Sequence, residues 1–137
     1  MATDPRYDLD EVKRIVREYI AGDHTLVKFS APRRSVDVVV TALKCSAHQA
    51  TQKIATGLLT LSEGDFSERV WQWNDVYDAY GLENYEGHNW YIKYCVVTEE
   101  GKYIEQVSFH PVQRELKLPD GRTLSVTYNS SQVKVTI

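Results

Sequence analysis

A chain of 137 residues with a formal net charge of −3 at pH 7 fits one globular domain. It is long enough to bury a core without disulfides or metals, and its mild negative charge argues against tight, non-specific nucleic-acid binding. No apolar run approaches the roughly 20 residues of a membrane-spanning helix. Residues 1–10 are polar and acidic, unlike a signal peptide. We therefore expect a cytoplasmic protein with no membrane contact.

The charge is uneven along the chain. Residues 26–60 carry five cations and one acid, whereas residues 61–105 carry ten acids and three cations. A basic shoulder next to an acidic middle would steer one ligand and repel another. Ordinary solvated surface is the alternative interpretation of the acidic segment.

The first helix and strand are predicted from capping residues and apolar spacing. Asp8 and Glu11 have the spacing of a capping box, and apolar residues then recur at helical intervals as far as Gly22. This pattern predicts a helix over residues 9–21. The short, partly β-branched segment 24–30 predicts a strand.

Two further helices are predicted before the middle of the chain. Ser35 is expected to cap the first of them, which ends near Leu43. Ser46 and the glutamine three residues later form another capping box, which predicts a helix over residues 47–59. A short turn or helix is expected over residues 62–70.

The second half of the chain predicts strands. Residues 71–85 are interpreted as an irregular aromatic segment that leads into a sheet. Residues 116–118 and 123–128 flank a Pro-Asp-Gly turn, and residues 132–137 would form a last strand. Helices followed by strands predict an α+β fold in which N-terminal helices pack on a C-terminal, mainly antiparallel β-sheet. We expect a single domain over residues 1–137, with 111–137 as an additional hairpin region.

The most informative segment is a predicted hairpin of residues 90–97 and 103–110. Side chains alternate along a strand, so the apolar face of the first strand comprises Trp90, Ile92, Tyr94 and Val96. The other face of this strand carries Tyr91 and Lys93. The second strand has an apolar face of Tyr103, Val107 and Phe109 and a polar face of Gln106, Ser108 and His110.

The register of this hairpin follows from its two apolar faces, which must lie on the same side. A two-residue turn at Glu100 and Gly101 satisfies that condition. It predicts the opposed pairs Tyr94–Val107, Ile92–Phe109, Lys93–Ser108 and Tyr91–His110. Opposed side chains have Cβ atoms roughly 5 Å apart. A four-residue loop would keep the same faces but shift the partners, and a three-residue loop would break the alternation.

This polar face suits the cleavage of RNA without a metal ion. In that reaction the ribose 2′-hydroxyl attacks the phosphorus, a base takes its proton, and cations or hydrogen-bond donors hold the phosphate. Histidine titrates near neutral pH, lysine is a point charge for phosphate, and tyrosine donates a hydrogen bond or stacks on a base. His110, Lys93 and Tyr91 provide these groups. A solvent-exposed polar sheet face without activity is the alternative.

Other common catalytic or metal-binding patterns are absent from the sequence. It contains no glycine-rich phosphate loop, no H-E-x-x-H and no G-x-S-x-G. His24, His48 and His88 have no metal-ligand spacing and are interpreted as ordinary surface or loop histidines. Cys45 and Cys95 are isolated, so no zinc site is expected. We interpret them as buried free thiols, with a disulfide between them as the alternative.

Five segments resemble, in the same order, the MqsR family of toxins. They are residues 9–22 (family pattern L-x-x-V-K-x-x-V-x-x-G), 57–66 (G-L-S-E-x-D-F), 73–77 (W-Q-D-V-Y), 91–93 (Y-L/I/V-K) and 107–109 (V-S-F or I-S-F). The resemblance implies an α+β, RelE-like fold. It also implies a metal-independent, sequence-selective mRNA endoribonuclease of a type II toxin–antitoxin system, which needs no cofactor and is neutralised by a cognate antitoxin protein.

The resemblance assigns the family's site residues to positions of this chain. The site tyrosine and its neighbouring lysine correspond to Tyr91 and Lys93, and the glutamine of W-Q-D-V-Y corresponds to Asn74. A lysine after V-S-F corresponds to His110. A further site lysine corresponds to Glu68, which reverses the charge.

We therefore expect catalytic roles for His110, Tyr91, Lys93 and Asn74. The adjacent Arg69 is expected to replace the missing cation at Glu68. Other RNA contacts are expected from Trp71, Tyr77 and Ser108, although large aromatic residues such as Tyr77 are often core residues.

Two alternatives to an active toxin remain from the sequence. The first is a catalytically silent member of the same fold that binds a protein partner, and Glu68 and the net negative charge favour it. The second is a standalone protein of other function on the same scaffold.

Overall fold

The computed structural model describes residues 4–29, 34–72, 74–98 and 101–128. The helices in this part are α1 (Leu9–Ala21), α2 (Arg34–Leu43), α3 (Ala47–Thr60) and a 3₁₀ turn (Glu63–Asp65). The strands are β1 (Val27–Phe29), β2 (Phe66–Gln72), β3 (Asp75–Tyr85), β4 (His88–Val97), β5 (Tyr103–Pro111), β6 (Leu116–Lys117) and β7 (Thr123–Leu124). The described chain is thus an α+β fold. None of its helices has the length and apolar character required to cross a membrane.

Five strands form one sheet in the order β1-β5-β4-β3-β2. β1 pairs with β5 in parallel, and the other neighbours pair antiparallel. The three helices pack on one face of this sheet, where fully buried residues such as Val12, Ile54, Trp90 and Phe109 form the main hydrophobic core. The opposite face is available for polar residues and for the C-terminal hairpin.

The predictions for α1 and α3 are confirmed, with small differences at the caps. The Asp8 side chain accepts a hydrogen bond from the backbone N–H of Asp10, and Glu11 binds Arg14 instead of completing a capping box. At α3 the predicted capping box of Ser46 and Gln49 is present in both directions. Each helix therefore begins where its capping residue satisfies the first free N–H groups.

Ser35 does not cap α2 as predicted. It is the second residue of the helix and is buried, and its hydroxyl donates to the Val107 carbonyl at 2.7 Å and accepts from the Phe109 N–H at 3.3 Å. Ser35 thus satisfies two backbone groups of β5 and fastens α2 to the sheet.

The prediction for residues 62–85 is wrong. Only the 3₁₀ turn agrees with it, and the remainder is an antiparallel hairpin of β2 and β3. Residues 77–82 of β3 are all buried. A strand that is covered on both faces shows no alternation of polar and apolar residues, so periodicity did not reveal it. The buried Asp78 carboxylate accepts the N–H groups of Arg6 and Tyr7 at 2.8 and 2.9 Å, which ties the N-terminal segment to β3.

The C-terminal hairpin of β6 and β7 lies on the face of the sheet opposite the helices. Its small apolar cluster contains Val112, Leu116, Leu118 and Leu124. This cluster covers Gly81 of β3, where an added Cβ atom would lie 2.8 Å from methyl groups of Leu116 and Leu124. The hairpin therefore covers part of a sheet face and is not attached to the sheet edge. The predicted strand over residues 132–137 lies outside the described residues.

Gly81→Val is expected to force the hairpin away from the sheet. A valine side chain would occupy the space of two leucine methyl groups, and overpacking of this kind typically costs about 1–3 kcal/mol in the free energy of unfolding. Urea unfolding measures the change. Thr123→Val, on an exposed position of the same hairpin, is the control and should have little effect. Equal stabilities of Gly81→Val and wild type would contradict the packing described here.

Candidate functional site

The two faces of β4 have opposite characters. Trp90, Ile92 and Tyr94 are fully buried against the helices. Tyr91 and Lys93 point to the other face and are partly exposed. The register with β5 places Tyr91 opposite His110 and Lys93 opposite Ser108, as the alternation predicts.

The hairpin departs from the predicted register towards its turn. A β-bulge follows Lys93, after which Cys95 lies opposite Glu105 and Val97 opposite Tyr103. The predicted Tyr94–Val107 pair falls in this bulge. The predicted two-residue turn is wrong, because residues 98–102 lie between the two members of the last pair, Val97 and Tyr103. A bulge inserts an extra residue and reverses the facing of the residues beyond it. Ile104 is accordingly buried in the core in place of Tyr103. The Gln106 side chain and Glu100 lie outside the described part.

Tyr91 and His110 form a stacked pair. Their ring centroids are 5.3 Å apart and the ring planes differ by 28°. Nδ1 of His110 lies 2.9 Å from the Pro111 carbonyl oxygen. A carbonyl oxygen only accepts hydrogen bonds, so Nδ1 carries the proton in the neutral ring and Nε2 is a proton acceptor. Burial, with a contribution from the nearby charge of Lys93, lowers the pKa of His110 and favours this neutral form.

Lys93 is held beside this pair by polar and aromatic contacts. Its ammonium donates to Gln72 Oε1 at 2.6 Å and lies 5.4 Å from the ring centre of Tyr77. Burial lowers the pKa of Lys93. Tyr77, expected as an RNA contact, is only 1% exposed and forms the floor beneath the ammonium. Its residue type alone had favoured the core interpretation.

Gln72 is a site residue that the sequence reasoning missed. It is the last residue of β2, and β2 was not recognised as a strand. If β2 is recognised as a strand, alternation places Gln72 on the same face as Glu68, four residues earlier. Its amide brings a hydrogen-bond donor and an acceptor next to Lys93.

Asn74 is placed differently from its predicted role. It is exposed in the β2–β3 turn with φ of 63°, in the left-handed region that asparagine tolerates. It lines a cavity of about 550 Å³ at this end of the sheet together with Trp71, Asp75 and Cys95. None of its described contacts joins it to Lys93 or His110, and Gln72 is the amide that does contact Lys93.

Arg69 and Trp71 also lie outside the predicted site. Arg69 donates to the backbone carbonyls of Asp4 and Pro5 at 2.7 and 3.5 Å, so it binds the N-terminal segment. Trp71 is 76% exposed but adjoins Gln72 in β2, so the two side chains point to opposite faces of the strand. The sequence indicated an exposed aromatic residue but not its face, because β2 was not predicted.

Glu68 lies on the same face as Tyr91 and is exposed. Burial raises the pKa of the Tyr91 hydroxyl, and the negative charge of Glu68 raises it further. Tyr91 therefore keeps its proton at neutral pH and is a hydrogen-bond donor. Ser108, opposite Lys93, is partly exposed and adds a hydroxyl to the site.

One group of described residues has the spacing of metal ligands. Potential ligand atoms of Asp75, Cys95 and Glu105 lie within 4.8 Å of one another. Burial raises the pKa of the Cys95 thiol despite its hydrogen bond with the Tyr7 hydroxyl, and the two carboxylates raise it further. Cys95 is buried and Cys45 partly exposed, and both are free thiols.

The three other histidines have no part in the site. His24 and His48 are exposed, in agreement with their interpretation as surface residues. His88 begins β4 and does not lie in a loop as expected, and its ring contacts Trp90 and Tyr128 edge-on.

Fold and site together define an α+β domain whose sheet carries tyrosine, histidine and lysine side by side on one polar face. Comparisons of the chain with protein-family models, with curated proteins and with solved structures find no match. Any function must therefore be argued from the site itself and from the sequence motifs.

His110 is expected to titrate below its ordinary pKa of 6.5. Unfolded chains then bind a proton to this ring at a higher pH than the folded protein does. As pH falls from about 6.5 through the lowered pKa, the free energy of unfolding should therefore decrease, and His110→Gln should lose this component. An NMR titration of the ring, compared with the protein unfolded in urea, measures the difference. A folded-state pKa above 6.5 would contradict it.

Proposed function

We propose that the protein is a metal-independent endoribonuclease that cleaves mRNA, and that it is the toxin of a type II toxin–antitoxin system. The observation that carries the enzymatic part is the stacked Tyr91–His110 pair with Lys93 beside it on one polar sheet face. The order of the five MqsR-like segments supports the toxin part. On the same basis we propose a RelE-like form of the α+β fold, a cytoplasmic location and a cognate antitoxin as partner.

The proposed chemistry begins at His110. Its Nε2 takes the proton of the ribose 2′-hydroxyl, whose oxygen attacks the adjacent phosphorus. Tyr91 donates a hydrogen bond to the phosphoryl oxygens as their charge develops, and the amide of Gln72 and the hydroxyl of Ser108 assist it. Lys93 lies on the same face and binds the phosphate as a cation. It also protonates the leaving 5′-oxygen, and burial, which lowers its pKa, makes its ammonium a stronger acid for this step. The products are a 2′,3′-cyclic phosphate and a 5′-hydroxyl.

Purified protein and a long mRNA test this chemistry. We expect cleavage in the presence of EDTA, with 2′,3′-cyclic phosphate or 3′-phosphate ends. DNA of the same sequence should remain intact because it lacks the 2′-hydroxyl. Intact mRNA, loss of cleavage on addition of EDTA, or fragments with 3′-hydroxyl ends would each refute the proposal.

A catalytically silent protein-binding module is the second candidate, and one observation favours it. Glu68 is exposed on the same face as Tyr91, and its negative charge repels a phosphate backbone. The same cleavage assay separates the two candidates, because a silent module leaves mRNA intact while still binding its protein partner.

Glu68→Lys is expected to strengthen RNA binding. The substitution replaces repulsion by attraction at an exposed position, an effect of about 1 kcal/mol or roughly fivefold in Kd at low salt. Fluorescence anisotropy with a labelled single-stranded RNA measures the affinity. Asp37→Lys makes the same charge change on α2, on the other side of the sheet, and should have a smaller effect. Equal gains from the two variants would show that only net charge matters.

A further inference from the structure

Asn89 links three separate parts of the chain next to the proposed site. It is the second residue of β4, two positions before Tyr91, and is only 7% exposed. Its side-chain oxygen accepts from the Asn84 N–H at 2.8 Å, and its side-chain nitrogen donates to the Ser125 carbonyl at 3.0 Å. A buried amide whose hydrogen bonds are made by several chain segments holds them in one arrangement.

The backbone of Asn89 makes two more such bonds. Its N–H donates to Thr127 Oγ1 at 2.9 Å, and its carbonyl accepts from the Val112 N–H, also at 2.9 Å. Ser125 and Thr127 follow β7, whereas Val112 follows β5. Asn89 thus fastens both ends of the C-terminal hairpin region to β4.

Val112 connects this network to His110. The peptide group between Pro111 and Val112 contains both the N–H that donates to Asn89 and the Pro111 carbonyl that accepts from His110 Nδ1. Because a peptide group is planar, fixing its N–H also fixes the direction of its carbonyl. The Val112 side chain is further held in the apolar cluster of the hairpin, against β6 and β7.

We infer that Asn89 is a positioning residue for His110. Its side-chain bonds to Asn84 and Ser125 hold the start of β4 in place, and the backbone carbonyl held there binds the Val112 N–H and so directs the Pro111 carbonyl towards His110 Nδ1. Nε2 is thereby left free to accept a proton. The consequence for catalysis rests on the proposed function, but the tautomer of His110 is measured without any RNA. The C-terminal hairpin region then contributes to the site through its hydrogen bonds to Asn89 and its packing against Val112.

The test is a ¹⁵N NMR measurement of the histidine tautomers above the pKa of His110, with the His110 signals assigned from the His110→Gln spectrum. Wild type should show the Nδ1-protonated form. Asn89→Ala keeps the backbone carbonyl that binds Val112 but loses the two side-chain bonds that hold this carbonyl in place, so it should lose part of the Nδ1-protonated form to the Nε2-protonated form and cleave RNA more slowly. Ser125→Ala, which keeps the backbone carbonyl, is the matched control and should resemble wild type.

Thr127→Val provides a second variant in case Asn89→Ala does not fold. It removes one of the bonds to Asn89 and should shift the tautomer in the same direction by a smaller amount. The inference fails if wild type has Nε2 protonated, or if a folded Asn89→Ala or Thr127→Val protein keeps the wild-type tautomer. A tautomer shift in a protein that cleaves no RNA would support the inference and refute the proposed function.

Discussion

His110→Ala is expected to reduce the rate of RNA cleavage by about 10²–10⁴-fold, the usual contribution of a general base. The substitution removes Nε2, the proton acceptor that the hydrogen bond from Nδ1 to the Pro111 carbonyl leaves available. RNA binding should change much less, because Lys93 and Gln72 keep their contact. Single-turnover cleavage, with affinity measured separately, distinguishes the two effects.

Two variants control for this result. Tyr91→Phe retains the stacked ring but loses the hydroxyl, so it should reduce the rate by a smaller factor. His48→Ala removes an exposed histidine at the start of α3 and should leave the rate unchanged. If His110→Ala cleaves as fast as wild type, His110 is not the base.

Trp90→Ala is expected to lower the free energy of unfolding by about 3–5 kcal/mol, the usual cost of truncating a buried aromatic residue. Trp90 is fully buried, its ring centre lies 5.0 Å from that of Phe109, and its indole N–H donates to the Tyr85 carbonyl at 2.7 Å. The substitution leaves a cavity in the core and removes the donor of the Tyr85 carbonyl. Chemical denaturation measures the loss.

Tyr91→Phe is the matched comparison, one position further along β4. Tyr91 faces the polar side, and the substitution keeps its ring, so stability should change by less than about 1 kcal/mol. The contrast tests the assignment of the two faces directly. A large loss of stability for Tyr91→Phe together with a small one for Trp90→Ala would mean that the buried and polar faces of β4 are the reverse of those described.

The sequence predicted those elements that have one buried face. α1, α3 and the β4–β5 hairpin each show a clear period, and their apolar residues form the core. β3 is buried on both faces and shows no period, and the edge strand β2 was missed with it. The bulge after Lys93 also has no sequence signal, because it depends on the pairing with β5.

The same division explains the candidate site. Tyr91, Lys93, Ser108 and His110 lie together because the alternation of one hairpin determines their face. The predicted residues from β2, β3 and the turn between them are placed elsewhere or buried, because those strands were not recognised. They are Arg69, Trp71, Asn74 and Tyr77. The missed Gln72 comes from the same region.

We propose that the polar sheet face of Tyr91, Lys93 and His110 cleaves RNA in the cell. The most direct measurement is growth after induced expression of wild type and of His110→Ala at equal protein levels. We expect wild type to stop growth and to cut cellular mRNA, while cells with His110→Ala grow normally. Equal growth with intact mRNA in both cultures, or equal arrest in both, would contradict it.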